Sequence, residues 1–263
     1  MLETKTISIQ NGEVEVVQFG SGAKAFVILP GLSYEGFFAQ ARAIERAYSI
    51  FAEPFTVYLI DRNKTPRPGY TVRQIADDTA EVMGNLKIEK ADVFGASLGG
   101  MVAQELAICH PHLVNRLVLG STLSRPNATA LAVLSRWESL AASGKIEDLT
   151  ADFYQTIFSP ETFQKYRVAF FQSQPVATTE KTARFLAYTA AAKRFDVFDS
   201  LDQIQAKTLT IGALHDRVTT ALAARETAKG IGGDYYEYQA FGHAAFDEAP
   251  DYKQRILDFL LSK

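Results

Sequence analysis

Ala91-Asp92-Val93-Phe94-Gly95-Ala96-Ser97-Leu98-Gly99-Gly100-Met101-Val102-Ala103-Gln104 is the stretch whose reading decides the fold. Its first four residues are a short, β-prone run, and the residues from Leu98 to about His110 favour a helix. Between them lies a Gly-x-Ser-x-Gly pentapeptide. With Gly and Ser each near 7% of residues, roughly one chain in ten of this length carries such a match by accident. Placement carries more weight. A strand-to-helix turn this tight strains the central residue and needs small neighbours, which Gly95, Gly99 and Gly100 supply. It lifts the Ser97 hydroxyl above the sheet edge, at the positive end of a helix. The competing reading is a plain glycine-rich turn that packs a helix closely on a strand.

Upstream, Ala25–Leu29 and Thr56–Ile60 are continuous apolar runs of the kind buried on both faces of a parallel sheet. Phe37 to Phe51, between them, is expected to be a crossover helix. Ile7–Gln10 and Val14–Phe19 alternate as strands, and Asn11-Gly12 is expected to supply the positive φ angles of a two-residue hairpin turn. Thr71-Val72-Arg73-Gln74 reads as a capping box, followed by Val72, Ile75, Thr79, Val82, Met83 and Leu86 at helical spacing. Downstream, Arg116–Leu119 is another strand. Strand and helix in alternation predict a doubly wound, mostly parallel α/β sheet with right-handed crossovers.

The rhythm breaks from about Thr122 to Leu201, where only helical patterns occur; Ser159-Pro160 is a helix start among them. Strands return at Thr208–Ile211 and Tyr235–Tyr238, and Tyr252–Leu261 is a closing amphipathic helix. The expected organisation is an α/β core of residues 1–121 and 204–263, interrupted by a helical insertion over 122–203.

From Gly20 onward the chain resembles the α/β-hydrolase fold superfamily, in its small esterase, enol-lactonase and C–C hydrolase-like members. Gly95–Ala107 is similar to the nucleophile elbow and following helix of the lactonases and esterases. The resemblance implies that the insertion is a helical cap and that the catalytic groups follow the order Ser, acid, His. A serine hydroxyl needs a base within hydrogen-bond reach. Of the four histidines, His110 and His112 stand about a dozen residues along the helix from Ser97, roughly 18 Å away. His215, on a turn after a strand, is not excluded by distance. His243, in a Gly242-His243 loop before the last helix, sits where the family places its base. Asp216 follows Leu209-Thr210-Ile211-Gly212 much as the family's acid does, although an Asp there also suits a cap for a helix starting near Thr219. Asp196, Asp199 and Asp202 are rivals with the look of solvated helix ends.

The family's oxyanion hole implies backbone donors at Leu98 and in Pro30-Gly31-Leu32-Ser33, with Leu32 first and Ser33 second. This chain has Pro30-Gly31 where the family usually has His-Gly. It also has Asn63-Lys64-Thr65-Pro66-Arg67-Pro68 where many members have a glycine-rich turn. Asp61 reads as a turn-stabilising residue.

The 263 residues carry 27 Lys and Arg against 30 Asp and Glu, a net charge of -3, so no basic footprint for nucleic acid is expected. One cysteine, Cys109, forbids an intramolecular disulfide and fits a reducing, cytoplasmic setting. No signal-peptide pattern opens the chain, and no apolar run approaches a membrane span. The sequence has no H-E-x-x-H, cysteine cluster or P-loop, and Gly230-Ile231-Gly232-Gly233 precedes a strand, so neither metal nor cofactor is expected.

Twelve of the thirty aromatic residues fall in the insertion, among them Trp137, Phe153, Tyr154, Phe158 and Phe170. Most are expected to form the insertion's own core, with some lining a pocket above Ser97. Arg136, Lys165, Arg167, Lys181 and Arg184 suit an acidic substrate or a solvated face equally and receive no role. The expected function is hydrolysis of a small carboxylic ester, lactone or related acyl compound through an acyl-serine. Alternatives are an acyltransferase with the same triad and a ligand-binding protein on the same scaffold. Family members that open epoxides or dehalogenate need a carboxylate where this chain has Ser97. Monomer and homodimer are both compatible with the sequence.

Overall fold

In strand β3 (Lys24–Leu29), Phe26 and Ile28 are buried in one hydrophobic cluster, while Val27 and Leu29 are buried in the other. Alternate side chains of a strand point to opposite faces, so this pattern puts β3 inside a sheet covered on both sides. The computed structural model describes residues 1–172 and 175–262. Its sheet has eight strands: β1 (Glu3–Ile9), β2 (Gly12–Gly20), β3, β4 (Phe55–Ile60), β5 (Ala91–Ala96), β6 (Val114–Gly120), β7 (Lys207–Ala213) and β8 (Asp234–Tyr238). Their order is β1-β2-β4-β3-β5-β6-β7-β8. β1 and β2 pair antiparallel, as do β2 and β4, and every later pairing is parallel.

Helices α1 (Ala41–Ala47) and α10 (Tyr252–Leu261) bury Ala41, Ile44, Tyr252 and Ile256 on the Phe26 face. Helices α2 (Val72–Asn85) and α3 (Leu98–Cys109) cover the Val27 face. The capping box of α2 forms in full: the Gln74 amide donates to the Thr71 hydroxyl, and the Gln74 side chain accepts from the Thr71 amide.

Two local expectations need correcting. The first hairpin forms, but Ile9 pairs with Gly12, so the loop is Gln10-Asn11 and Gly12 opens the second strand. The Asn63 side-chain amide donates to the Asn11 carbonyl at 2.9 Å and fixes the loop in that position. The Phe37–Phe51 segment is not one helix. It divides into a 3₁₀ turn at Phe38–Gln40, α1, and a second 3₁₀ turn at Ser49–Phe51. Tyr48 leaves helical angles (φ -110°, ψ 20°), and this lets both Tyr48 and Phe51 reach the aromatic cluster around Phe26 and Phe55.

Among the described residues, four α-helices lie between β6 and β7, α4 (Ala128–Ala142), α5 (Ile146–Ile157), α6 (Pro160–Gln172) and α7 (Thr179–Lys193), followed by a 3₁₀ helix at Phe198–Gln203. Asn127 and Thr178 cap α4 and α7 by accepting the Ala130 and Lys181 amides, and α6 begins at Pro160. The aromatic side chains of the insertion stack on one another, as Tyr154 and Phe158 do on Phe170, and its buried core is continuous with that of the sheet. Leu134, Trp137, Leu149 and Phe185 join the same buried cluster as Val27, Val93 and Leu98, because these helices lie against the Val27 side of the core. Helices α8 (Ala221–Ile231) and α9 (Ala245–Glu248) complete the chain. No helix among the described residues is long and apolar enough to cross a membrane.

Candidate active site

Ser97 joins β5 to α3 at φ 53° and ψ -120°, a left-handed conformation that an L-residue holds only when its surroundings force it. The forcing contacts are visible. Ser97 donates its amide to the Gly120 carbonyl at 2.9 Å, and the Thr122 hydroxyl donates to the Ser97 carbonyl at 2.8 Å. A Cβ at Gly99 would lie 1.9 Å from the Leu29 carbonyl oxygen, and one at Gly95 would lie 2.3 Å from the Gly99 oxygen. Only glycines allow α3 to start this close to β3 and β5.

His243 lies in the loop between β8 and α9, buried at 4% exposure. That loop is tied to the insertion: Ala244 donates its amide to the Ile157 carbonyl at the end of α5, at 2.9 Å. Its Nε2 lies 3.0 Å from Ser97 Oγ, and its Nδ1 lies 3.0 Å from both carboxylate oxygens of Asp216. An ionised carboxylate only accepts, so Nδ1 carries the proton and Nε2 turns its lone pair to the Ser97 hydroxyl.

Asp216 does not cap the next helix; Thr220 does, by accepting the Ala223 amide. Instead, Asp216 accepts the Val218 and Thr219 amides at 2.7 and 3.0 Å and the Thr219 hydroxyl at 2.7 Å. Burial pushes this carboxyl up, but His243 and the bonds from Thr219 and Val218 outweigh it and hold the group below its ordinary range.

The other sequence candidates lie elsewhere. His110 closes α3 and bonds Asp77 at 2.8 Å, while His112 and His215 are exposed, as are Asp196, Asp199 and Asp202. Asp61 accepts the Arg62 amide at 2.8 Å and pairs with Arg184 at 3.0 Å. Leu98 opens α3, where a helix leaves its first amides unbonded. Leu32 and Ser33 border the same cavity as Ser97 and His243.

That cavity has a volume of about 380 Å³. Trp137, Phe153 and Phe158 wall it from the insertion, and Ile44, Tyr48 and Phe246 from the core. Asp247 also borders it, half exposed, with Lys253 at 3.8 Å. Sequence reasoning missed Thr122, Thr219 and Arg62. Thr219 had a signal, since an Asp followed three residues later by Thr suits a hydrogen-bonded turn that fixes the carboxylate. Thr122 and Arg62 had none, because their partners lie 25 and more than 30 residues away.

The family described as "alpha/beta hydrolase fold" matches residues 25–250. The chain belongs to that family. "Putative carbamate hydrolase RutD" of Rhizobium rhizogenes is 26% identical over 253 residues, covering 92% of this chain and 94% of the relative. The homoserine O-acetyltransferase of Thermus thermophilus is 28% identical over 223 residues, covering 74% of this chain and 59% of the relative. Among solved structures, the enol-lactonase of Burkholderia xenovorans LB400 superposes with a TM-score of 0.85 at 20% identity, over 97% of this chain and 99% of that one.

Proposed function

We propose that this protein hydrolyses small carboxylic esters, lactones or related acyl compounds through an acyl-serine intermediate, without a cofactor. Ser97 is the nucleophile, His243 the general base and acid, and Asp216 the group that orients the imidazole. The reading rests on one observation above all: a hydroxyl, an imidazole and a buried carboxylate in line, at 3.0 Å for each contact.

Ser97 Oγ attacks the substrate carbonyl carbon as its proton passes to His243 Nε2. The carbonyl π pair moves onto oxygen, where the Leu32 and Leu98 amides receive the negative charge. Asp216 stabilises the imidazolium but keeps its own charge, in line with its lowered pKa. Collapse of the tetrahedral species breaks the bond to the leaving oxygen, which takes the proton from Nε2. Water then attacks the acyl carbon with His243 as base, and the acid departs as Ser97 regains its proton.

Helices α4–α7 act as the cap. Trp137, Phe153 and Phe158 favour an acyl or alcohol group that is apolar and of moderate size. A carbamate also offers an acyl carbon to such a serine, which makes the RutD relative's name compatible with the reading. A cytoplasmic setting suits the reading, and the single Cys109, which can form no intramolecular disulfide, fits it. The acetyltransferase relative favours a second reading, in which an alcohol or thiol displaces water at the acyl-enzyme.

Nitrophenyl esters of increasing acyl length test the proposal. The expected result is turnover that peaks at an intermediate length and is abolished in Ser97→Ala. Acyl transfer to an added alcohol at the expense of free acid would select the second reading. Tight ligand binding with no turnover, undiminished in Ser97→Ala, would leave a binding protein.

A further inference from the structure

Arg62 follows β4 and is buried at 4% exposure. One of its nitrogens, Nη1, donates to two consecutive carbonyls, Pro30 and Gly31, at 2.8 Å each. The remainder of the guanidinium is poorly served. Nη2 faces Asp61 Oδ1 at 3.5 Å, and neither Nη2 nor Nε has a hydrogen-bond partner among the described residues. A buried guanidinium with unpartnered N–H groups is costly, and an apolar side chain of similar size commonly fills such a position at less cost. Stability is therefore a poor account of this residue.

Planarity of the peptide unit supplies a better one. A trans peptide holds its C=O and the following N–H antiparallel. The Gly31 carbonyl and the Leu32 amide belong to one such unit. By drawing the carbonyl toward itself, Arg62 turns the amide the opposite way. Gly31 stands close to Ser97, since a Cβ built on it would be 3.4 Å from Ser97 Cβ. We propose that Arg62 is the positioning residue of the oxyanion loop, aiming the Leu32 amide at the oxygen of the substrate carbonyl bound at Ser97.

Arg62 is in turn held by the insertion. Arg184 on α7 donates to the Arg62 carbonyl at 3.1 Å and pairs with Asp61 at 3.0 Å. Tyr188, one turn on, donates to the Asn63 carbonyl at 2.6 Å, and its ring faces the Arg62 guanidinium at 5.3 Å. The chain of contacts runs from α7 through residues 61–63 to the loop beside Ser97.

The inference rests on the hydrolase reading above, so the test includes wild-type protein. Arg62→Met, Arg62→Lys and the double variant Asp61→Asn/Arg62→Met are compared with it for ester kcat and KM, for Ser97 phosphonylation by a fluorophosphonate, and for thermal unfolding. A misaimed donor should lower kcat and the phosphonylation rate together by about a hundredfold in the two Met variants. KM should stay within about twofold, because the contact is made to the transition state. Arg62→Lys should recover part of the rate, since Nζ can reach a carbonyl. A folded Met variant with wild-type kcat, or one that changes KM alone, overturns the proposal. So does failure of all three variants to fold, which assigns Arg62 to stability only. Failure of the hydrolase reading appears separately, as wild-type protein that neither turns over ester nor labels at Ser97, and the proposal falls with it.

Discussion

Substituting Gly99 by alanine tests how the site is built. The added Cβ would stand 1.9 Å from the Leu29 carbonyl oxygen and 2.8 Å from that of Pro30, so α3 and β3 must part by about 1.1 Å before the first contact reaches 3.0 Å. β3 cannot retreat, since β4 and β5 hold it on both edges. The first turn of α3 moves instead, and it carries Ser97 and the Leu98 amide away from the Pro30–Leu32 loop. A displacement of about 1 Å between a nucleophile and its stabilising donors costs on the order of a hundredfold in rate, or about 2.7 kcal/mol of barrier. Crowding of the core adds a stability loss of about 1–3 kcal/mol. Steady-state hydrolysis of a nitrophenyl ester and urea unfolding measure the two effects. Gly84→Ala is the control: its Cβ meets nothing within 4 Å on the exposed side of α2, and it should leave activity unchanged and stability equal or up to about 1 kcal/mol higher. If Gly99→Ala keeps wild-type kcat and stability, the close approach of helix and strand does not set the site.

Asp216→Asn should cut kcat by about 10⁴ with little change in KM, because an amide can present its donor to Nδ1 and favour the wrong imidazole tautomer. The same variant reports on pH. A carboxyl held below its ordinary pKa contributes its full stability above the unfolded value of about 3.9 and loses it as pH falls through the lower folded value. The stability margin of wild type over Asp216→Asn should therefore narrow on acidification below about pH 3.9 in urea titrations; a margin that widens there contradicts the assignment. Trp137 is buried at 2% exposure, walls the cavity and donates Nε1 to Asp152 at 2.8 Å. Trp137→Ala should cost about 3–5 kcal/mol and move the ester preference to bulkier acyl groups, as read by the ratio of kcat/KM across a chain-length series.

Much of the fold was legible because its signals are local. The apolar runs at β3, β4 and β5 read as buried strands without reference to partners, and the capping box at Thr71 places the start of α2 to the residue. Ser97 was legible through a strand-to-helix glycine turn, Asp216 and His243 through the order that the α/β-hydrolase resemblance implies, and the folded chain brings those three side chains together. What the sequence hid depends on contacts between distant residues. Helix propensity from Phe37 to Phe51 is real, yet burial of Tyr48 and Phe51 breaks it into three pieces. The aromatic content of the insertion pointed to packing within it, and nothing local showed that Trp137 and Phe185 would make that core continuous with the cluster of the sheet. Asp61 read as a turn residue after β4, and nothing local marks its neighbour Arg62 as bonding the Pro30 and Gly31 carbonyls.

Covalent labelling by a fluorophosphonate, followed by peptide mapping of the adduct, addresses the central claim most directly. The account predicts one adduct, on Ser97, absent from Ser97→Ala and formed far more slowly in His243→Ala. An adduct on any other residue, or labelling undiminished in Ser97→Ala, would contradict it.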